Sequence, residues 1–220
     1  MRKNKKKTVY KKPIQTIMIF IISIIIGLTY TYITSTSNSD LSKIQSGIAD
    51  KIVRFHVIAN SDSKEDQELK LKVKEAVVNY TEVILKNSKS IEETKSILEK
   101  ETENILRICN QVIHENGYNY AVTAKLSESY FPTKSYGQYT FPPGVYEAYQ
   151  IKIGEAKGQN WWCVLYPPLC FIDISHGVVG EESSHQLEET LTTEEFNAVS
   201  GECEVKFRFK YLKFLNNLLD

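Results

Sequence analysis

The chain opens on its longest apolar run. Residues 17–33 read IMIFIISIIIGLTYTYI, seventeen positions without a charge. The run predicts a helix that is either a cleaved signal segment or a retained anchor. Its length falls between a signal core and the about 20 residues of a full span. A polar linker, TSTSNSD, follows at 34–40, and 41–50 predicts a short helix with Leu41, Ile44 and Ile48 on one side. Next, IVRFHVIA (52–59) predicts a buried strand. Val53, Phe55, Val57 and Ala59 share one face, and Ile52, Arg54, His56 and Ile58 the other. Asn60-Ser61-Asp62-Ser63 ends the strand and caps a helix, through Asp62 with Glu65 or Ser63 with Asp66. That helix carries a stripe at Leu69, Val73, Ala76, Tyr80 and Ile84 and runs to about Lys86. A second helix starts near Ser90, repeats Ile91, Leu98, Ile105 and Val112, and stops at Asn116-Gly117. Two long helices on a short turn predict an αα-hairpin.

From Tyr118 the period becomes two. Tyr118, Tyr120, Val122, Ala124 and Leu126 alternate with polar or small residues, as in a half-buried strand. Pro132, Gly137, Pro142-Pro143 and Gly144 then break a Tyr-rich stretch, 130–146, into turns. Val145 to Ile153 and Trp161 to Tyr166 predict two strands joined by GEAKGQN. An acidic segment (181–195), a strand (204–209) and an amphipathic terminal piece (211–219) complete the chain. The fold class is α+β: a long αα-hairpin packed on a mainly antiparallel sheet, after an N-terminal export or membrane segment. The divisions are 1–33 for that segment, 34–50 for linker and short helix, and 51–220 for an extracytoplasmic domain.

Charge sharpens the opening pattern. The 220 residues carry 27 bases and 27 acids, a net of zero. Seven bases (Arg2, Lys3, Lys5, Lys6, Lys7, Lys11, Lys12) precede the apolar run, and residues 1–33 hold no acid. Residues 34–220 therefore hold 20 bases against 27 acids, a net of −7. Bases followed by an apolar run form the export pattern, with the bases left in the cytoplasm. The acidic remainder excludes a basic nucleic-acid binder.

Motifs for soluble enzyme classes are absent: no P-loop, no dinucleotide fingerprint, no HExxH, no GxSxG and no CxxC. His176 and His185 lie near Asp173, Glu181 and Glu182, at spacings that match no metal site. No catalytic, metal or cofactor assignment follows. His56, mid-strand, reads as a hydrogen-bonded, partly buried side chain. The cluster NWWCVLYPPLCF (160–171) holds both Trp and two of the four Cys. Cys163 and Cys170 are disulfide candidates if the turn centres on Tyr166-Pro167. A turn on Pro167-Pro168 sets Cys163 opposite Ile172 instead. Two other readings stay open: buried thiols, or a nucleophilic Cys163 with His176 or His56 as base. Cys109 and Cys203 form a possible second pair.

Tyr130, Phe131, Tyr136, Tyr139, Phe141 and Tyr146 crowd the Pro/Gly-punctuated region. Amphipathic rings on loops are binding anchors, so these six are the partner-binding candidates. The competing expectation is that about half of them fill the sheet face.

Three segments carry a family resemblance: RFHVIANSDSKEDQELKLKVKEAV (54–77), YFPTKSYGQYTFPPGVYEAY (130–149) and IGEAKGQNWWCVLYPPLCFID (153–173). Together they resemble the stage II sporulation protein R family of endospore-forming bacteria, over about residues 50–175. The resemblance implies a protein made in the forespore and exported into the space between the forespore and mother-cell membranes. It implies, as partner, a membrane-embedded aspartic protease of the mother cell, which processes the sigma-E precursor when activated. It implies no catalytic activity and no cofactor. The rival reading is an extracytoplasmic thiol hydrolase using Cys163.

Overall fold

The computed structural model describes residues 12–170 and 179–201, with the side chains of 17–32 and those from 42 onward. The basic residues before Lys12, the predicted strand 204–209 and the terminal piece 211–219 lie outside the described residues. So do Asp173, His176 and Cys203. The chain divides into two compact units, Met1–Lys43 and Ile44–Asp220.

Helix α1 (Lys12–Ala49) enters both units. It runs unbroken through 34–40, where the sequence suggests a linker. Ser, Thr, Asn and Asp are weak helix formers, costing up to about 0.7 kcal/mol each, but no Gly or Pro interrupts that stretch, so a helix already nucleated can continue through it. From Ile17 to Tyr32 the apolar side chains are exposed. These sixteen positions make about 24 Å of helix, against a hydrocarbon core of about 30 Å. Among the described residues, no helix is long and apolar enough to cross a membrane.

The second unit is α+β. The last turn of α1 buries Ile48, and strand β1 (Val53–Ile58) follows. Helix α2 (Lys64–Leu85) is capped by Ser63, whose Oγ accepts from the Asp66 N–H at 3.2 Å. The expected second helix is two: α3 (Ile91–Lys100) and α4 (Thr102–Glu115). They meet at Glu101, whose carboxylate accepts from Tyr80 of α2 at 2.5 Å and from Asn104 at 2.6 Å. Ser90 caps α3, and Gly117, at φ +83°, ends α4 in the left-handed region that favours glycine.

The strands β2 (Val122–Phe131), β5 (Gly144–Ile153) and β6 (Asn160–Tyr166) join β1 in the order β2-β5-β1-β6. Between β2 and β5 lie β3 (Lys134–Tyr136) and β4 (Tyr139–Phe141), a separate hairpin. β2 pairs antiparallel with β5, and β1 antiparallel with β6, but β1 and β5 are parallel. The consecutive strands β5 and β6 therefore do not pair, because β1 lies between them. The acidic segment forms α5 (Glu181–Thr190) and α6 (Thr193–Ser200), the latter with a full capping box from Thr192 and Glu195.

Register assigns the two sheet faces. Val53, Phe55 and Val57 align with Tyr149, Ile151 and Cys163 on the helix-covered face. There Tyr149 donates its hydroxyl to Thr102 Oγ1 at 3.0 Å, and Lys95 of α3 pairs with Glu147. Arg54, His56, Ala148, Tyr146, Trp162, Ser127 and Ser129 share the other face. Both faces of β1 are buried. The second face is covered by side chains far along the chain, and it holds the most unusual chemistry of the molecule.

Candidate functional site

Arg54, the second residue of β1, is wholly buried. Its Nε donates to the Cys163 carbonyl at 3.1 Å, and its Nη2 donates to the Tyr136 hydroxyl at 3.0 Å. Four rings surround the guanidinium. Phe131 is 4.3 Å away, Tyr146 4.9 Å, Phe141 5.4 Å and Tyr136 5.7 Å, each to the ring centroid. No acidic side chain among the described residues pairs with it, and Nη1 has no hydrogen-bond partner. Burial lowers the Arg54 pKa; Tyr136 and Tyr146 oppose the shift. Ring faces compensate a desolvated cation by about 2 kcal/mol or more each, against a desolvation cost of several kcal/mol for one charge. Among the described residues, Arg54 is thus held without a counter-ion.

His56 lies on the same face, two residues along β1. It stacks on Trp162 at 3.9 Å between centroids and tilts against Phe131 at 5.7 Å. Burial, helped by Lys152, lowers its pKa to about 4, and Asn160 opposes the shift. His56 is therefore neutral at physiological pH. Its Nδ1 lies 3.5 Å from Ser129 Oγ, and Nε2 has no partner. The expected hydrogen-bonded histidine is buried more fully than the sequence suggests, with Ser129 and the Asn160 side chain as its polar neighbours.

The six aromatic candidates divide sharply. Tyr130 is 62% exposed, and its cross-strand neighbour Val145 is 52% exposed. Phe131, Tyr136, Tyr139, Phe141 and Tyr146 are all buried. Their burial has a simple cause. The stretch read as loops is the β3–β4 hairpin plus the ends of β2 and β5, and it folds its rings inward over Arg54. Tyr139 also packs on Phe196 of α6, at 5.8 Å between centroids. Sequence reasoning missed Arg54 itself. The available signal was a single Arg inside an otherwise strongly apolar strand run.

Cys163 and Cys170 are joined as a disulfide, with Cα atoms 5.5 Å apart. The Leu169 N–H donates to the Val164 carbonyl at 3.1 Å, which centres the turn on Tyr166-Pro167. The thiol-hydrolase reading loses its nucleophile and one of its bases. Cys163 is buried and aligned with Phe55, so His56 points to the opposite face; His176 lies outside the described residues. Cys109 is a buried free thiol whose pKa is pushed up to about 12 by burial. His185 is exposed on α5, 3.5 Å from Glu189. Among the described residues, no group of three His, Cys, Asp or Glu side chains is placed to hold a metal.

The NSDS segment acts as a clamp. Asn60 Oδ1 accepts from the Glu155 N–H at 2.9 Å, and Asp62 Oδ1 accepts from the Gln159 N–H at 2.6 Å. Asp66 accepts from Ser61 Oγ at 2.5 Å and Asn60 Nδ2 at 2.8 Å. These bonds hold its carboxyl below the usual range, although burial alone acts the other way. The polar residues of this motif thus hold the β5–β6 loop against the start of α2. A mixed-charge groove of about 1270 Å³ lies farther off, lined by the α2–α3 loop, the β6 turn and α5.

The ring cluster, the clamp and the disulfide turn fall within residues 49–176, which a family model described as Stage II sporulation protein R matches. The chain belongs to the stage II sporulation protein R family. Stage II sporulation protein R of Bacillus subtilis (strain 168) is 35% identical to it over 158 residues, or 71% of this chain and 70% of that one. No solved structure matches. In this family member the two quoted motifs, HVIANSDS and NWWCVLYPPLCF, supply the centre of the sheet, the clamp and the disulfide. The Tyr-rich stretch supplies the hairpin.

Proposed function

We propose that the chain is an exported signal of sporulation. It leaves the forespore through its N-terminal basic and apolar segment and acts between the two membranes. There it binds a membrane-embedded aspartic protease of the mother cell, and the protease then processes the sigma-E precursor. The chain acts as a ligand, without chemistry of its own. Family membership over residues 49–176 is the observation that carries this reading. The basic cluster and the exposed apolar face of α1 support export.

Activation by binding needs a preference for the protease's active state. Shifting a two-state equilibrium from 1:99 to 99:1 takes about 5.5 kcal/mol of differential affinity. At roughly 25 cal/mol per Å², that is about 220 Å² of apolar surface buried only in the active complex. One large aromatic side chain buries about 150–250 Å², so a patch the size of Tyr130 and Val145 is sufficient. We place Tyr130 in the contact. Capture of the full chain by the protease in detergent-solubilised membranes tests this. The wild-type chain is expected to be retained. Tyr130→Ser is expected to fold normally and be retained at least tenfold less. No retention of the wild type would contradict the proposed function, and equal retention of the variant would remove Tyr130 from the contact.

A further inference from the structure

The three buried side-chain polar atoms without a partner among the described residues are Arg54 Nη1, His56 Nε2 and Ser127 Oγ. All three sit on the same face of one sheet. Register sets Arg54 and Ser127 on either side of Ala148, whose methyl is the smallest side chain in that row. A buried polar atom left unpaired costs about 1–3 kcal/mol, more when charged. Such groups persist where an unseen partner completes them. Arg54 is the extreme case: a cation with nothing acidic beside it among the described residues, and an unpartnered Nη1 next to a small residue.

We propose that Arg54 is the receptor for a single carboxylate carried on an apolar segment of a partner protein, admitted when the β3–β4 hairpin lifts from the sheet. The charge balance selects the ligand. One carboxylate neutralises one guanidinium, in the planar, two-bonded geometry that Arg favours. A dianionic phosphate would leave a buried net negative charge, which is costly. The four surrounding rings suit an apolar carrier. The hairpin is the natural cover. It is a two-stranded unit of three residues per strand, outside the four-stranded sheet, and Tyr136 gives it a direct hydrogen bond to Arg54. Its outer ring, Tyr139, rests on α6 through Phe196. α6 is fastened in turn by the ion pair of Glu195 with Lys51, at 2.5 Å. The partner's identity rests on the proposed function; the carboxylate site does not.

The test uses the full chain in detergent, with benzoate as an apolar monoanion, benzamide as its neutral isostere and matched sodium chloride. Benzoate at roughly ten times its Kd is expected to raise the wild-type unfolding temperature by about 3 °C. Benzamide and chloride are expected to leave it unchanged. Arg54→Met removes the charge at similar volume, so it is expected to fold with an equal or higher unfolding temperature and to lose the benzoate response. The same variant is expected to lose at least 90% of precursor processing when expressed with the protease and the sigma-E precursor. Arg54→Lys serves as a second variant if Arg54→Met fails to fold. It keeps the charge without the planar fork and is expected to fold and to respond to benzoate at least tenfold more weakly. A wild type that does not distinguish benzoate from benzamide would overturn the proposal, leaving Nη1 to a buried water. Processing by Arg54→Met at the wild-type level would overturn the partner's part in it. If the wild type itself promotes no processing, the proposed function fails, and the benzoate comparison still decides the site.

Discussion

His56 shows how position sets the chemistry of a side chain. Stacked on Trp162 and flanked by Phe131, Ser129 and Asn160, with Lys152 nearby, it has a pKa lowered to about 4. The unfolded chain binds this proton near pH 6.5, so folding releases it between those values. Stability is fully present above pH 6.5 and is lost as pH falls toward 4, by a contribution on the order of 3 kcal/mol. Asp66 and Glu195, whose pKa values are lowered, lose their contributions in a more acidic window, below the ordinary carboxylate range. His56→Phe keeps a ring on Trp162 and removes the titration. Its unfolding midpoint is expected to be flatter than the wild type's between pH 6.5 and 4; an identical slope would contradict the assignment. The alternation of IVRFHVIA already put Arg54 and His56 on one face. It did not show that this face is buried, because the covering rings Phe131, Tyr136, Phe141 and Tyr146 come about eighty to ninety residues later.

Elements explain why the motifs are spelled as they are. Asn60 and Asp62 hold the β5–β6 loop by accepting its backbone N–H groups, and the loop approaches them closely. A Cβ on Gly158 would sit 2.1 Å from the Ser61 carbonyl oxygen. Backbone cannot yield as a flexible side chain does, so Gly158→Ala is expected to cost about 1–3 kcal/mol in urea unfolding. A loss below 0.5 kcal/mol would deny the clamp, on the scale of ordinary surface changes of about ±0.5 kcal/mol. The disulfide turn makes a second prediction. Closing the eight-residue loop from Cys163 to Cys170 stabilises by about 2.5 kcal/mol on loop entropy. Cys163→Ser with Cys170→Ser is therefore expected to unfold more easily by about that amount and, while folded, to signal normally. A folded double variant that cannot signal would revive the thiol. Helix α2 and the four long strands were legible from periodicity and capping residues, and the cysteine spacing offered this turn as one of two; the break between α3 and α4 and the helical state of α5 and α6 were not. The β3–β4 hairpin was not, because three-residue strands are too short for a period to register and its Pro and Gly residues read as loop. Nor was the insertion of β1 between β5 and β6, since strand order depends on contacts about a hundred residues apart.

At the scale of the molecule, the even charge total conceals a division of labour. The basic residues cluster before an exposed apolar helix, and the remainder carries a net of −7 in a folded α+β unit. Among its described residues, that unit presents few exposed large apolar side chains: Leu71, Val83, Tyr130 and Val145. The proposed function needs a small contact patch, and the proposed carboxylate site a covered cationic socket; Tyr130 with Val145, and Arg54 under its rings, are the features offered for each. The most direct measurement is co-expression of the full chain, the membrane-embedded aspartic protease and the sigma-E precursor in a host that does not sporulate, with precursor cleavage followed by immunoblot. Cleavage that appears only when the chain is present is the predicted result. An intact precursor with all three proteins expressed, or equal cleavage without the chain, would contradict the account.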